Sequence, residues 1–324
     1  MTAVPLQLGL HTYSFENHFR YAPGFDVFDF IRLARFLKLS GVHISMNDEH
    51  YRWVGGTSVE QLHRVGKAVR DAGLFLEVDT SGTDPAHLAR VLKASREMGA
   101  DRLRTYTAHT GTPEEQLAKT TRDLKVAAPI AADHGIAVLL ENHEDFTGAE
   151  VARIIDAVDH PNIGALFDFG NSMMVLEEPM AAAQAMAPHV RTVHVKDQIV
   201  VQPDAAPRPI VCGAPIGRGN IDVAGILDYV TRASGLERIC IQSVYAYAAP
   251  IVRNLDRFRE TSAASPTFRV TEQRTDESLF ALDHRRESQT DLARLLNFEL
   301  SAVAYGVGRL RTILGQLGFA IASE

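Results

Sequence analysis

The sequence lacks the features that mark secreted, membrane-spanning and nucleic-acid-binding proteins. Its two cysteines, Cys212 and Cys240, are too few for a disulfide framework and are typical of a reducing compartment. No apolar run approaches the roughly 20 residues that cross a bilayer, and no secretion signal is evident. Lysine and arginine form no run and the net charge is -7, which argues against a phosphate-backbone partner. These absences predict a cytoplasmic protein that binds neither membrane nor nucleic acid.

The sequence does contain enough apolar residues, 46%, to bury a large core. Strand-like and helix-like segments alternate through about the first 262 residues, beginning with strands at 6–10, 42–46 and 74–78. Eight such units predict an α/β fold in which a parallel sheet closes, a (β/α)8 TIM barrel over residues 1–263.

Four of the predicted strands each stop at a side chain with a donor oxygen or nitrogen. The donors are Glu141, Asp168, His194 and Gln242, separated by 27, 26 and 48 residues, which leaves room for a crossover helix each time. A parallel barrel brings such strand ends to one face, where these barrels carry out their chemistry. Two carboxylates, an imidazole and an amide oxygen suit a divalent ion such as Mn, Mg, Co or Zn. The pattern therefore predicts a metal site.

Two further side chains follow the predicted ligands by two positions. Because side chains alternate along a strand, His143 shares the face of Glu141, and Lys196 shares the face of His194. A neutral imidazole beside a chelated carbonyl sugar is a suitable general base. We therefore expect His143 and Lys196 to be catalytic, although His11 and His109 are alternative bases.

Two segments fall outside the strand and helix rhythm. Residues 198–220 are rich in proline and glycine and predict a long loop over the active face, or a mobile insertion without a role. Residues 264–324 form a predicted helical extension with apolar positions spaced by four and three. This heptad-like set indicates a helix of roughly thirty residues that either packs onto the barrel or contacts another chain. Its members are Leu296, Leu300, Val303, Val307, Leu310, Leu314 and Leu317.

Four short motifs resemble the xylose isomerase-like TIM barrels, the sugar isomerase and epimerase superfamily. They begin at Leu140 (Leu-Glu-Asn-His), Asp168 (Asp-Phe-Gly-Asn), His194 (His-Val-Lys-Asp) and Gly217 (Gly-Arg-Gly-Asn-Ile-Asp), and the resemblance covers about residues 5–260. It implies a divalent metal held by the four strand-end donors, with Asn171 and Lys196 near the substrate. We further expect substrate contacts from Tyr106, Arg218 and His11.

Gln242 departs from the pattern, since ketose epimerases of this type place a glutamate there that binds metal and moves a proton. An amide oxygen still coordinates a hard ion but cannot act as base. Within the superfamily, the combination resembles the α subunit of bacterial C-glycoside deglycosidases, which use a Mn-type metal and a histidine base on 3-oxo C-glycosides. That resemblance implies a carbon–carbon lyase with a small β subunit as partner, and a homo-oligomer is also compatible.

Three alternatives remain open at the level of sequence. The first is an isomerase or epimerase of free sugars with Glu141 as the base. The second is a DNA-repair endonuclease of the same barrel type, against which the acidic charge weighs. The third is a non-catalytic barrel subunit in which Gln242 is a relic of a lost site.

Overall fold

The computed structural model describes residues 5–47, 51–202, 207–271 and 289–322. The strands are β1 (Gln7–His11), β2 (Gly41–Ser45), β3 (Phe75–Asp79), β4 (Arg102–Thr105), β5 (Ala137–Glu141), β6 (Ile163–Asp168), β7 (Val190–Val195), β8 (Asp197–Val201), β9 (Ile210–Ala214), β10 (Arg238–Ile241) and β11 (Ala248–Pro250). The helices are α1 (Glu16–Tyr21), α2 (Val27–Phe36), α3 (Tyr51–Val54), α4 (Val59–Asp71), α5 (Pro85–Met98), α6 (Pro113–His134), α7 (Gly148–Val158), α8 (Pro179–Met186), α9 (Val223–Ser234), α10 (Phe258–Ala264) and α11 (Gln289–Gln316).

Eight parallel strands close into a barrel, which confirms the predicted fold. The order around the barrel is β1, β2, β3, β4, β5, β6, β7 and β10, after which β10 pairs with β1. The register places Asp168 beside His194 and Ile241 beside Val195. The carboxyl ends of β5, β6, β7 and β10 therefore lie side by side on one rim of the barrel.

Capping residues set where the crossover helices begin. Asp84 accepts the backbone N–H of His87 with Pro85 in the first turn of α5, and Thr112 forms a capping box with Glu115 at the start of α6. Such caps contribute about 1 kcal/mol each.

The prediction of one long loop over residues 198–220 was wrong. β8 and β9 pair antiparallel, and β11 adds to β9, so that a three-stranded sheet stands beside the barrel. Alternate residues of β8 and β9, including Ile199, Val201 and Cys212, form a separate small apolar cluster. Because the segment is rich in proline and glycine, its composition predicted a loop although it contains two short strands. Residues 203–206 of the predicted loop lie outside the described residues.

Helix α11 packs back onto the barrel and occupies the place of the eighth outer helix. It contacts α9 and α1, and the Arg311 side chain donates hydrogen bonds to the backbone carbonyls of Leu37 and Lys38, just after α2. By contrast, α10, which follows β10 and β11, buries no residue. The apolar side chains from Val303 to Leu314 of α11 belong to the same core as the barrel strands, whereas Leu295 and Ala302 form a separate cluster with Tyr245. The division at residue 263 stays a prediction, and residues 272–288 of the proposed extension lie outside the described part of the chain.

The heptad-like set is only partly buried. Val303, Val307, Leu310 and Leu314 are buried, whereas Leu300 is 38% exposed. Towards the start of α11 the buried face shifts to Leu295, Glu299 and Ala302, as expected of a straight helix with 3.6 residues per turn. Packing onto the barrel thus explains the pattern, and a contact with another chain stays a prediction. Among the described residues, no helix is both long and apolar enough to cross a membrane.

Candidate metal centre and active site

Three of the four predicted ligands meet at the barrel rim. Atoms of Glu141, Asp168 and His194 that could ligate a metal all lie within 4.8 Å of one another, and all three residues are buried. The Nδ1 atom of His194 is 3.0 Å from Oε1 of Glu141 and 3.8 Å from Oδ2 of Asp168. The fold therefore brings three strand ends into one cluster of the kind that binds a divalent ion.

The backbone orients the Asp168 carboxylate. Its Oδ1 atom accepts the N–H groups of Gly170 and Asn171, at 2.9 and 3.0 Å, which leaves Oδ2 directed at the cluster. The amide of Asn142 binds both backbone groups of Asp168 and so joins β5 to β6. Because side chains alternate along a strand, Asn142 points away from the site and bonds to the backbone of β6, whereas Glu141 faces the site.

Gln242 follows β10, next to β7, and its backbone N–H donates to the carbonyl of Val195 at 3.0 Å. Its side-chain oxygen is buried and has no hydrogen-bond partner within the described ranges. An unsatisfied buried amide oxygen costs about 1–3 kcal/mol. A cation would satisfy this oxygen, so the donor set at the rim fits a divalent metal and lacks the third carboxylate of an epimerase-type site.

Arg104 is a site residue that the sequence reasoning missed. Its guanidinium hydrogen-bonds Oε2 of Glu141 and lies 3.7 Å from Oδ1 of Asp79. Burial raises the pKa of Glu141, but the charge of Arg104 and its hydrogen bond outweigh burial, and the pKa is lowered overall. Glu141 is thus ionised at neutral pH, as a ligand must be. The feature of the sequence that could have identified Arg104 is a charged residue within a predicted barrel strand.

Lys196 and Asn171 lie together at the same rim, as predicted. The Nζ atom of Lys196 is 3.0 Å from Oδ2 of Asp168 and donates to Oδ1 of Asn171 at 2.8 Å. It also lies 5.8 Å from the ring centre of Tyr247. This buried ammonium supplies positive charge beside the ligand cluster, where charge would develop on a substrate oxygen.

His143 stands at the mouth of the site and stacks on Tyr106. The two ring centres are 3.8 Å apart and the planes differ by 11°. The guanidinium of Arg104 lies 4.7 Å from the same tyrosine ring. Burial lowers the pKa of His143 to about 3, with Arg104 and Lys196 lowering it further while Glu141 opposes them. His143 is therefore neutral at physiological pH, and the same surroundings disfavour its protonated form.

His11, one of the predicted substrate contacts, lies below the ligand cluster rather than at its mouth. It is fully buried, and its Nε2 is 2.7 Å from Oδ2 of Asp79. A second missed histidine, His43, lies against it, with ring centres 4.7 Å apart. His11, His43 and His194 together form a buried imidazole group beneath the rim. The predicted contact between His11 and substrate stays a prediction.

Arg218, the other predicted contact outside the cluster, is exposed and lies against α11. Its Nε donates to the hydroxyl of Tyr305 at 3.0 Å. The loop that carries it is built around the buried carboxylate of Asp197, which accepts the N–H groups of Gly217, Gly219 and Ile221. A side chain at Gly219 would collide with this carboxylate, since its Cβ would lie 2.1 Å from Oδ1. The glycines of the Gly-Arg-Gly motif therefore serve the turn, and the role of Arg218 stays a prediction.

A closed parallel barrel with carboxylate and imidazole donors at its strand ends defines a class of metal-site barrels. The chain matches the model of the xylose isomerase-like TIM barrel family over residues 84–260, more than half of its 324 residues. It belongs to that family.

Two relatives were found among curated proteins. The uncharacterized protein YihM of Escherichia coli is 27% identical over 197 residues, which cover 61% of this chain and 60% of YihM. The 3-oxo-isoapionate decarboxylase of Pectobacterium atrosepticum is 28% identical over 175 residues, 53% of this chain and 62% of the decarboxylase. The chain thus aligns with less than two thirds of the length of either relative.

Solved structures with the same architecture include a D-psicose 3-epimerase from Clostridium cellulolyticum. It has a TM-score of 0.63 and 13% sequence identity, and the match covers 95% of this chain and 99% of the epimerase. At this identity, the likeness shows the shared fold.

Proposed function

We propose that this protein is a divalent-metal enzyme that removes the C2 proton of a 3-oxo sugar, and that C-glycoside cleavage is the reaction that follows. The observation that carries the proposal is Gln242, a buried neutral amide with an unpartnered oxygen beside an intact set of two carboxylates and an imidazole. An amide at this position cannot exchange a proton with a substrate carbon, as the glutamate of an epimerase does. One-sided proton removal by His143 remains.

The ion, which we expect to be Mn²⁺, would be held by Glu141, Asp168, His194 and Gln242. Such an ion supplies Lewis-acid stabilisation of an enolate oxygen. The neutral imidazole of His143, held against Tyr106, takes the C2 proton, which the 3-keto group has made acidic. The electrons of the C2–H bond first form the C2–C3 double bond of the enolate. They then form the C1–C2 double bond as the 3-keto group is restored, and the C1–aryl bond breaks with its electron pair leaving on the aglycone carbon. That carbon then takes up a proton. Lys196 and Asn171 lie where they can hold sugar oxygens.

A second candidate is decarboxylation of a 3-oxo sugar acid, favoured by the named decarboxylase among the relatives. The cation Lys196, which lies beside the ligands, suits a substrate carboxylate. Here the bond to the carboxylate breaks, carbon dioxide leaves, and the electron pair forms the same enolate, which is then protonated. This reaction needs no base, so it would not depend on His143.

The test is a product assay in deuterium oxide with the purified chain and added Mn²⁺. The substrates are a 3-oxo C-glucoside with an aromatic aglycone, a 3-oxo sugar acid, and D-fructose as a free ketose. We expect release of the aglycone with deuterium on the carbon that was bonded to C1 of the sugar. We expect His143→Gln to lower kcat at least about 100-fold, while His109→Gln, a histidine paired with Asp123, serves as the matched control.

Each alternative predicts a different product. If carbon dioxide is released from the sugar acid, and His143→Gln releases it equally fast, the reaction is decarboxylation and not C-glycoside cleavage. An epimerised ketose alone would make Glu141 the base. Because the resemblance to deglycosidases implies a β subunit, the assay is repeated with a co-expressed small subunit from the same operon. No turnover in either preparation, together with no bound metal, would reject the proposal in favour of a non-catalytic barrel.

A further inference from the structure

A line of polar side chains runs inward from the rim ligands and ends at His43. This residue lies in β2 and is fully buried inside the barrel. Its Nδ1 is 3.2 Å from Nε2 of His194, on the side of that ring away from Glu141. Its own Nε2 has no hydrogen-bond partner in the described part of the chain and lies 3.7 Å from Oδ2 of Asp79. His43 thus stands between a rim ligand and a buried carboxylate.

The neighbouring groups fix Asp79 as a hydrogen-bond acceptor. The Nδ1 of His11 accepts the backbone N–H of Tyr13 at 3.1 Å, so the ring proton of His11 lies on Nε2 and is donated to Oδ2 of Asp79. The hydroxyl of Ser45 donates to Oδ1 at 3.0 Å, and Arg104 lies 3.7 Å from the same oxygen. Asp79 therefore presents only acceptor atoms to His43.

The pair of His43 and His194 has two tautomeric arrangements with the same number of protons. In the first, Nδ1–H of His194 donates to Glu141, and Nε2 accepts from Nδ1–H of His43. The bare Nε2 of His43 then faces a carboxylate oxygen, which is unfavourable. In the second, His43 carries its proton on Nε2, towards Asp79, and its Nδ1 accepts from Nε2–H of His194. The second places the bare Nδ1 of His194 3.0 Å from Oε1 of Glu141, so it is favourable only with a cation beside these atoms, and it is the arrangement that offers Nδ1 to a metal next to Glu141 and Asp168.

We propose that His43 is a positioning residue that, with Asp79 behind it, accepts the Nε2–H of His194 when Nδ1 of His194 binds a divalent ion. The inference rests on the metal site of the proposed function. It extends a known arrangement, in which a carboxylate orients a ligating histidine directly, by inserting a second imidazole. Neither ring changes its charge, so the effect is on metal affinity rather than on pH dependence.

The experiment combines metal affinity with a direct reading of tautomers. Zn²⁺ affinity is measured by chelator competition for the full chain, for His43→Leu and for His43→Asn. Leucine fills the space but accepts no hydrogen bond, whereas the asparagine side chain keeps an acceptor near the position of Nδ1. We expect His43→Leu to bind Zn²⁺ about 10- to 100-fold more weakly. We expect His43→Asn to stay within about threefold of the original affinity, since its acceptor is retained.

Long-range ¹H–¹⁵N spectra of the histidines, with and without Zn²⁺, give the second reading. We expect the Zn²⁺-bound protein to carry the proton of His194 on Nε2 and that of His43 on Nε2. A His194 proton on Nδ1 in the loaded protein overturns the proposal, and this reading needs no variant that could misfold. Equal affinity of all three proteins overturns it while leaving the metal site intact. Failure of the unmodified chain to bind Zn²⁺ or Mn²⁺ removes the proposed function itself.

Discussion

The two ends of the barrel interior both bury carboxylates among arginines, but they do so with opposite electrostatic results. At the rim, Glu141 is hydrogen-bonded by Arg104, and its pKa is lowered despite burial. Nearer the other end, Glu77 lies 3.3 Å from Arg238 and 3.4 Å from Arg102, yet burial raises its pKa. The rim thus holds a carboxylate ionised and ready for a cation, whereas the lower carboxylate sits in an environment that disfavours its charge.

The difference follows from how the arginines are shared. Arg238 makes its shorter contact with Asp101, at 2.7 Å, and Arg102 donates at 2.6 Å to the carbonyl of Arg191. Neither guanidinium belongs to Glu77 alone. Arg104 has only buried acidic partners, Glu141 and Asp79. A buried carboxylate is therefore held in its charged form when its arginine has few other partners, as at Glu141. It is held less well when its arginines also bond to other groups, as at Glu77.

The largest expected effect is on metal binding. Glu141→Gln removes a charged donor at the rim and should weaken Mn²⁺ affinity by more than about 100-fold, beyond the loss seen when only an outer contact of a metal site is removed. The isosteric Glu77→Gln at the lower end is the comparison variant and should weaken affinity by no more than about threefold, since Glu77 reaches His194 only through His43, whose Nδ1 lies 3.7 Å from Oε2 of Glu77. Calorimetric titration of both variants with Mn²⁺ checks this. Similar losses in the two would show that the ends are not functionally distinct.

The next effect is on stability and its rescue by metal. Arg104→Met leaves Glu141 and Asp79 buried without their cation, which should lower the free energy of unfolding by about 3–5 kcal/mol. Saturating Mn²⁺ should restore part of this loss because the ion replaces the missing positive charge. Denaturant titrations with Mn²⁺ and with a chelator measure both effects.

The matched variant at the lower end is Arg238→Met, which should cost about 2 kcal/mol through lost charged hydrogen bonds. Added Mn²⁺ should raise the free energy of unfolding of this variant by no more than it raises that of the unmodified chain. If metal rescued both variants equally, Arg104 would not be specific to the rim.

The smallest effect is a dependence of stability on pH. Because the pKa of Glu77 is raised in the folded state, its contribution to stability is present below the unfolded pKa of about 4.3 and is lost as pH rises through the folded pKa. Glu77→Gln should therefore match the unmodified chain near pH 4 and exceed it by about 1 kcal/mol at pH 8. Melting curves of the metal-free proteins at both values test the sign. A stability deficit that grows with pH would mean that the arginines outweigh burial.

The sequence by itself determined the barrel and the rim ligands. Apolar strands alternate with capped helices, and this rhythm has few solutions other than a closed parallel sheet. Strand ends of a parallel barrel must share one face, so Glu141, Asp168 and His194 could be brought together without coordinates. Their side-chain orientation followed from strand alternation.

Only the tertiary structure decided which inward-facing residues touch the site. Arg104, Asp79 and His43 come from strands far away in sequence, and their contacts depend on the register around the closed barrel. The same holds for α11, which replaces the eighth outer helix although 38 residues separate it from the end of β11. Local periodicity records which face of an element is apolar, but the partner of that face is chosen by packing across the whole chain.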